Sequence, residues 1–342
     1  MIDSSTDFYK YIDNFARYRD VGWQCVYGDE QLLSKVSVTI SIPTFNRPES
    51  LKDAIDSALG QETIDGFCVM VIDNNPEEGT ETEALIKSFC SEKLVYFKNE
   101  QNIGMFGNQN RCFEIPKSEY VVLLHDDDIL LPNYLSVCCE VANSTHLDYL
   151  QPKKIKWFVE KQGREELIIP DAKKTLNRIY DVDNYLYYRL GSPSSAFFRR
   201  EAMIAIGGFS SEYYPTSDFC TAVQMGEKYR VYTLDETLAI YRVEKNASMK
   251  QETLELFLHN DYYLRKQIMN KLKFCNLVKH TLLNFIVHSQ YEALRETYNP
   301  SFIFDFSCFG MKWRCPRLLY LPVRLYSVVK LFIYKRLVLS NR

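Results

Sequence analysis

Four short apolar runs recur in the first third of the chain, and segments with helical periodicity separate them. The runs span residues 36–42, 67–72, 94–97 and 120–124. Uninterrupted apolar runs of this length are typical of strands that a parallel sheet buries on both faces. After Pro48 the apolar residues fall on one helical stripe, and Thr80 with Glu83 forms a capping box before a second helix.

A third helix fits residues 104–113, so strand and helix alternate along this part of the chain. That alternation predicts an α/β fold with a doubly wound sheet. Beyond residue 128 the pattern is mixed, and we predict short strands at 147–151, 155–159 and 196–198 and a helix at 201–206. A long helical region is predicted from Thr253 to about Phe304.

These patterns divide the chain into three parts. Residues 1–35 form an N-terminal extension, and residues 251–342 form a helical C-terminal region. Residues 36–250 form the α/β domain, with halves at 36–135 and 136–250.

Charge is distributed unevenly along the sequence. The chain has 41 Lys and Arg residues against 44 Asp and Glu residues. Residues 311–342 hold no acids and eight of the cations, namely Lys312, Arg314, Arg317, Arg324, Lys330, Lys335, Arg336 and Arg342. A mildly acidic body argues against a nucleic-acid-binding protein, which would carry its basic surface on the folded domain.

The basic tail is also rich in large apolar residues. A membrane-spanning helix would place Arg324 and Lys330 inside the bilayer at about 2.5–3.5 kcal/mol each. A helix in the interface of an anionic membrane avoids that cost, and a cap or dimer contact on the protein itself is the alternative. The polar N-terminus predicts no secretory signal, and the ten cysteines lack metal-binding spacing, so we expect a cytoplasmic protein with reduced thiols.

Polar residues follow each of the four apolar runs, at the sheet edge where α/β proteins bind ligands. The strongest signal is the acidic segment Asp126–Asp128, directly after the fourth run. Three adjacent carboxylates repel each other, and a hard cation such as Mg²⁺ or Mn²⁺ relieves that repulsion. A solvated acidic turn is the alternative. No glycine-rich loop follows the first run, which excludes dinucleotide-binding and Walker-type phosphate sites.

Four segments in order resemble glycosyltransferase family 2, a family of inverting enzymes with the GT-A fold and nucleotide-sugar donors. They are SIPTFNRPESLKDAIDSAL at 41–59, VIDNNP at 71–76, NEQNIGMFGNQN at 99–110 and LLHDDDILLPNYL at 123–135. The resemblance continues more loosely to about residue 250. It implies a GT-A domain, a mixed sheet flanked by helices, with a nucleotide-binding half followed by an acceptor half.

The resemblance implies a nucleotide site at the ends of the first strands. Asp73 would accept the imide N–H of uracil or thymine, although a capping role is its alternative. The family often carries Arg at the position of Gln109, and Arg47 or Arg111 would replace that cation near the diphosphate. The implied nucleotide residues are Pro43, Thr44, Asn46, Arg47, Asp73, Asn74, Asn102, Gly104, Asn110 and Asp126.

In the acidic segment, alignment on Pro132 implies that Asp127 is the direct metal ligand. Asp128 is assigned to the metal as well, and Asp126 to the ribose or to a metal-bound water. His125 stands where many relatives have Asp. For His125 we favour an ion-pair role over a ligand role.

Asp218 resembles the general base of the family, which takes the proton from the attacking acceptor hydroxyl. An N-cap role is the alternative for Asp218, and Glu212 is the nearby substitute base. The residues implied for the sugar or acceptor are Gly191, Ser192, Pro193, Ser194, Arg242 and Glu244. A plain hairpin turn is the alternative for 191–194, and Glu244 is also considered as a third metal ligand.

Together these features predict an inverting glycosyltransferase that uses a UDP-hexose or UDP-N-acetylhexosamine donor, with dTDP-rhamnose as an alternative. The expected acceptor is a saccharide linked to undecaprenyl diphosphate, as in O-antigen or other surface-polysaccharide synthesis. The expected location is the inner face of the cytoplasmic membrane, and a homo-oligomer is left open. A non-catalytic binding protein on the same fold is the main alternative. A nucleotidyltransferase is disfavoured because 41–47 lacks a basic loop.

Overall fold

The computed structural model describes residues 2–62, 66–170, 174–186, 190–244, 250–311 and 313–339. In this part of the chain ten strands join one mixed sheet. The strands are β1 (Trp23–Tyr27), β2 (Val38–Thr44), β3 (Phe67–Asp73), β4 (Leu94–Asn99), β5 (Tyr120–Leu123), β6 (Ile129–Leu130), β7 (Tyr149–Phe158), β8 (Leu176–Ile179), β9 (Ala196–Arg199) and β10 (Val231–Val243). The helices are α1 (Pro48–Leu59), α2 (Glu81–Ser88), α3 (Gly104–Glu114), α4 (Tyr134–Thr145), α5 (Arg200–Ile206), α6 (Ser217–Lys228), α7 (Gln251–Lys271), α8 (Asn276–Thr297) and α9 (Arg317–Tyr334).

The four predicted strands form the parallel centre of the sheet, in the order β4, β3, β2 and β5. Their observed ends differ from the predicted ends by no more than two residues. The second half of the sheet is mixed, since β9 lies antiparallel between β5 and β7 while β10 runs parallel to β7. The predicted α/β class is therefore confirmed.

Alternate residues of the central strands point to opposite faces of the sheet, and each face has its own core. In β3, Val69 packs in the core that contains Ile55 of α1. Its neighbour Met70 packs in the core that contains Phe113 of α3. Both faces are covered, which is why these strands are apolar at every position.

The structure differs from the prediction in several strands, and β6, β8 and β10 were not predicted. The two strands predicted at 147–151 and 155–159 are one long strand, β7, whose partner β10 shifts register between Leu234 and Thr237. Strand β1 was not predicted, and it pairs antiparallel with β4 so that Trp23 lies opposite Asn99. Part of the N-terminal extension thus belongs to the sheet.

The predicted long helical region is two helices. Lys273, with a φ of 51°, lies in the turn between α7 and α8. These helices share a third core with Val223 of α6. Helix α9 is held on α8 by the rings of Phe285 and Tyr320, whose centroids are 3.6 Å apart. Among the helices of the described ranges, none is both long enough and apolar enough to span a bilayer.

Candidate active site

The polar ends of the central strands meet at one edge of the sheet. Thr44 and Asp73 end β2 and β3 and lie opposite each other in the parallel register. The hydroxyl of Thr44 donates to Oδ2 of Asp126, which follows β5, at 2.8 Å. Arg47, in the turn before α1, places its guanidinium 3.4 Å from Asp126 and 3.1 Å from Asp127. The ends of β2 and β5 are therefore joined by charge and hydrogen bonding.

Three side chains of the acidic segment converge. His125, Asp127 and Asp128 each offer one ligand atom, and these atoms lie within 4.8 Å of one another. Asp128 is fully buried, and its Oδ2 has no hydrogen-bond partner among the described residues. Burial, together with the charge of Asp127, raises the pKa of Asp128 to about 7. The cluster has two carboxylates and one imidazole, which are ligand types that can hold a divalent cation.

The imidazole of His125 does not behave as the ion-pair partner that the sequence favoured. Burial lowers the pKa of His125 to about 4, so the ring is neutral at pH 7. A neutral imidazole can ligate a metal but cannot balance a carboxylate. Burial and then the charge of Asp127 raise the pKa of Asp126 to about 6. No cation therefore lies within the acidic segment itself, and the positive charges that act on it come from Arg47 and Lys154.

Asparagine amides organise the neighbouring strand ends. The amide nitrogen of Asn74 donates to Oδ1 of Asn102 at 2.8 Å, and its oxygen accepts the backbone N–H of Ile103 at 3.0 Å. Gly104 follows with a φ of 74°, a conformation that glycine adopts without strain. Asn46 accepts from the amide of Asn75 at 2.8 Å. The structure thus joins Asn46, Asn74, Asn102 and Gly104 around the ends of β2 and β3.

Asp73 lies deeper than a residue that directly contacts a base. Its side chain is fully buried, and burial raises its pKa. One oxygen accepts the Tyr96 hydroxyl at 2.8 Å, and the other accepts the backbone N–H of Asn75 at 2.9 Å. Each carboxylate oxygen keeps a further lone pair, so contact with a nucleobase depends on access to this buried group, and the role of Asp73 stays a prediction.

Two residues proposed for the nucleotide have other partners. Asn110 donates to the carbonyl of Phe209 at 2.9 Å and accepts its N–H at 2.8 Å, which fixes α3 to the turn after α5. The guanidinium of Arg111 is buried beneath the ring of Trp23, 4.4 Å from its centroid, and donates to the carbonyl of Tyr18. Arg111 is therefore unsuited to replace the cation missing at position 109. Arg47, which lies beside Asp126 and Asp127, stays the candidate for that cation near the diphosphate.

Asp218 lies in the first turn of α6, as the sequence predicted. It is partly exposed, and its Oδ1 accepts the backbone N–H of Phe219 at 2.8 Å. Burial raises the pKa of Asp218 to about 6. The carboxylate lines a cavity of about 840 Å³ together with Gly191 and Ser192. A carboxylate with a pKa near 6, at the wall of a cavity, can act as a general base at neutral pH.

Lys154, on β7, is a site residue that the sequence analysis missed. Its ammonium donates to the carbonyl oxygens of Ser192 at 2.6 Å and Ser194 at 2.8 Å. Its charge also acts on Asp128 and on Asp218, and burial lowers its own pKa to about 8. Lys154 therefore links the acidic segment, the 191–194 segment and the candidate base. The same strand carries Lys153 and Lys156, so no local signal in the sequence distinguishes Lys154.

The 191–194 segment divides into a lining part and a supporting part. Gly191 and Ser192 line the cavity, whereas Pro193 and Ser194 are buried behind them. The Ser194 hydroxyl accepts the backbone N–H of His125 at 3.1 Å, which connects this segment to the acidic one.

Arg242 and Glu244 lie at the end of β10. The guanidinium of Arg242 pairs with Asp53 of α1 and stacks on Trp157, 4.8 Å from the ring centroid. Glu244 is exposed, and its carboxylate is 3.8 Å from the Arg242 guanidinium. It is not one of the three clustered ligand residues found in the described part of the chain. Positions 245–249 of the same segment lie outside the described residues.

Residues 39–207 match the sequence profile of the family described as Glycosyl transferase family 2. Residues 39–207, about half of the chain, form a family 2 glycosyltransferase domain. The matched range contains the acidic segment and Lys154, whereas Asp218 and Arg242 lie beyond its end.

Two curated relatives of this glycosyltransferase illustrate the range of similarity. An uncharacterised glycosyltransferase of Methanocaldococcus jannaschii is 22% identical over 253 residues, which cover 72% of this chain and 84% of the relative. The GalNAc(5)-diNAcBac-PP-undecaprenol beta-1,3-glucosyltransferase of Campylobacter jejuni is 32% identical over 107 residues. That match covers 31% of this chain and 34% of the relative.

Two solved structures share the fold of this glycosyltransferase. TarS 1-349 of Staphylococcus aureus, in complex with UDP, has a TM-score of 0.55 and 17% identity over 76% of this chain and 73% of its own. A mannosyltransferase of Pyrobaculum calidifontis, in complex with GDP-Man and Mn²⁺, has a TM-score of 0.50 and 15% identity over 95% of this chain and 93% of its own. The predicted GT-A fold is confirmed.

Proposed function

We propose that this glycosyltransferase moves a hexosyl or N-acetylhexosaminyl residue from a UDP donor to a hydroxyl of a lipid-linked saccharide, with inversion. The observation that carries the proposal is that Lys154 connects the acidic segment with Asp218, the proposed base. Lys154 interacts electrostatically with both Asp128 and Asp218, so both ends of a transfer site lie around one side chain. The resolved complex of TarS with UDP supports the donor class, and the name of the Campylobacter relative supports the acceptor class.

The acidic segment is proposed to bind the diphosphate of the donor through a divalent cation. Asp127, Asp128 and His125 would hold Mg²⁺ or Mn²⁺, which supplies the positive charge that neutralises a departing nucleoside diphosphate. Arg47 lies beside Asp126 and Asp127 and adds a cation at the same edge. Thr44 orients Asp126 by its hydrogen bond and leaves that carboxylate facing the turn that carries Arg47.

The chemistry proposed for Asp218 is a single displacement. Its carboxylate takes the proton from the acceptor hydroxyl while the acceptor oxygen bonds to the anomeric carbon. The bond between that carbon and the diphosphate oxygen breaks, and its electron pair leaves with the nucleoside diphosphate. Because Lys154 donates to Ser192 and Ser194, it holds the segment proposed to lie beneath the transferred sugar.

Helix α9 is proposed to rest on an anionic membrane surface where a lipid-linked acceptor would be found. One face is held on the protein by Tyr320 and Ser327, which are buried. The other presents large exposed side chains, including Leu318 (84% exposed), Leu325 (68%) and Phe332 (63%). Cations accompany them and acids do not, so the face matches lipid acyl chains below negative headgroups.

The test is calorimetric titration of UDP into the purified chain with and without Mn²⁺. The wild type is expected to bind UDP more tightly with Mn²⁺, and Asp127→Ala is expected to lose that dependence. Asp20→Ala, an exposed carboxylate outside the site, is the matched control and should bind as wild type does. Tighter binding of dTDP would replace the donor by a dTDP-sugar such as dTDP-rhamnose. No binding of UDP, dTDP or GDP would overturn the proposal.

A further inference from the structure

The cavity beside Asp218 is longer than a site for one sugar ring requires. It runs along β7 and β10 on one side and along helices α7 and α8 on the other. On β7 its lining extends from Gln151 to Lys156, five residue steps, which is roughly 16 Å at the rise of a strand. Its volume of about 840 Å³ lies in the upper part of the range for sites that take drug-sized ligands, about 300–1,000 Å³.

The walls of the cavity differ in chemistry. The helical side carries aromatic residues, and the rings of Phe219 and Phe257 are 5.7 Å apart in an edge-to-face arrangement. Tyr298, which directly follows α8, continues this side. The strand side is polar and includes Lys156 and Thr233. A sugar ring has an apolar face of C–H groups and a rim of hydroxyls, so it fits between an aromatic wall and a polar one.

We propose that this cavity binds the acceptor as a chain of at least two sugar residues. The terminal sugar presents its hydroxyl to Asp218, and the preceding sugar stacks against Phe257 and Tyr298. This inference rests on the proposed function and deepens it, because it makes the protein an enzyme that extends an existing glycan. An enzyme that places the first sugar on a lipid phosphate would not need the far half of the cavity.

The helical wall lies outside the family match. Helices α7 and α8 begin after residue 207, the last residue of the matched range. The C-terminal region of this chain would therefore select the acceptor. The domain matched at residues 39–207 would bind the donor.

The test measures saccharide binding without nucleotide, by saturation-transfer NMR. The probes are two homologous series: glucose, cellobiose and cellotriose, and N-acetylglucosamine, chitobiose and chitotriose. In at least one series the disaccharide is expected to bind about tenfold more tightly than the monosaccharide. Phe257→Ala is expected to lower disaccharide affinity by about tenfold, as truncation of a buried aromatic anchor does.

A second variant guards against misfolding of the first. Ala293 of α8 lines the cavity and is exposed, so Ala293→Trp fills the cavity without disturbing a core. It should also lower disaccharide affinity, whereas Tyr11→Ala, an aromatic residue 54% exposed and not in the cavity lining, should not. UDP affinity should stay unchanged in all three variants.

Two results would overturn the inference: no gain in affinity with chain length in either series, or disaccharide binding that survives both cavity variants. Failure of the proposed function is separate, because it shows as absent nucleotide binding in the calorimetric experiment. A chain that binds UDP but gains nothing from the second sugar loses only the extended acceptor site.

Discussion

The backbone N–H of Arg242 donates to Oδ1 of Asp128 at 3.0 Å across 114 positions of sequence. This bond ties the acidic segment after β5 to the far end of β10 and fixes the rotation of the carboxylate. The second oxygen, Oδ2, is left buried without a hydrogen-bond partner in the described part of the chain. The fold therefore fixes one oxygen of Asp128 with a hydrogen bond and leaves the other without one within the described ranges.

We expect Asp128→Asn to separate folding from metal binding. Asparagine keeps an oxygen for the Arg242 N–H but removes the buried negative charge, so Mn²⁺ affinity should fall by about tenfold or more. The melting temperature without metal should not fall, because burial already disfavours the charged form of Asp128 and asparagine keeps the bond to Arg242. Calorimetry with Mn²⁺ and thermal melts measure both. A large loss of stability with unchanged Mn²⁺ affinity would give Asp128 a purely structural role.

The pH profile should report the ionisation of Asp218. A base acts in its deprotonated form, and burial places the pKa of Asp218 at about 6. Activity should therefore fall as pH drops through about 6 and stay level up to about pH 8, where Lys154 loses its charge. Asp218→Asn should lower kcat by about 10²- to 10⁴-fold, the usual contribution of a general base, with UDP affinity unchanged.

Glu212→Gln is the control for the base. Glu212 is exposed and lies outside the cavity lining, so its variant should keep wild-type activity and the same pH profile. If Glu212→Gln is inactive and Asp218→Asn is active, the role of base passes to Glu212.

Replacing Lys154 should move the pH profile. The positive charge of Lys154 favours the ionised form of Asp218 and lowers its pKa. Lys154→Met removes that charge, so the midpoint of the profile should shift to higher pH. Lys154→Arg keeps the charge and should keep the midpoint nearer to the wild-type value. An unchanged midpoint in Lys154→Met would limit Lys154 to holding the 191–194 segment.

Asn110→Leu should test whether this residue stabilises the fold or binds the nucleotide. It removes two buried hydrogen bonds to the backbone of Phe209, and we expect the free energy of unfolding to fall by about 1–3 kcal/mol. Urea denaturation measures this change. UDP affinity should be unchanged, and a loss of UDP affinity at full stability would restore the nucleotide role. Asn270→Leu, on the exposed end of α7, should change stability by no more than about 0.5 kcal/mol.

The exposed face of α9 should bind anionic lipid. Vesicles of phosphatidylcholine mixed with phosphatidylglycerol should co-sediment with the chain, and vesicles of phosphatidylcholine alone should do so less. Leu318→Glu combined with Leu325→Glu should abolish binding by placing carboxylates at the acyl boundary. Leu277→Glu is the control, since Leu277 is 74% exposed on α8. Self-association without lipid binding would make the face a dimer contact instead.

The local pattern of apolar residues was sufficient to predict the strands at the centre of the sheet. The strands β2 to β5 are buried on both faces, so each appears in the sequence as an unbroken apolar run with little influence from distant residues. Strand β1 was missed because an edge strand is only partly buried and has no such run. The split prediction for β7 arose at Pro152 and Lys153, which interrupt its apolar pattern although the strand continues.

The sequence by itself determined where chemistry would lie, because parallel strands end at the same edge and the residues after each strand can be read in order. It placed Thr44 and Asp126 at the same edge of the sheet and Asp218 at the start of a helix, and the structure shows both placements. Only the tertiary structure decided which polar residues are engaged elsewhere. Asn110 and Lys154 find partners 99 and 38 to 40 positions away, respectively. Contacts at such distances leave no periodic trace in a single sequence, so only the packed structure showed that Asn110 bonds to the backbone of Phe209 and Lys154 to the 191–194 segment.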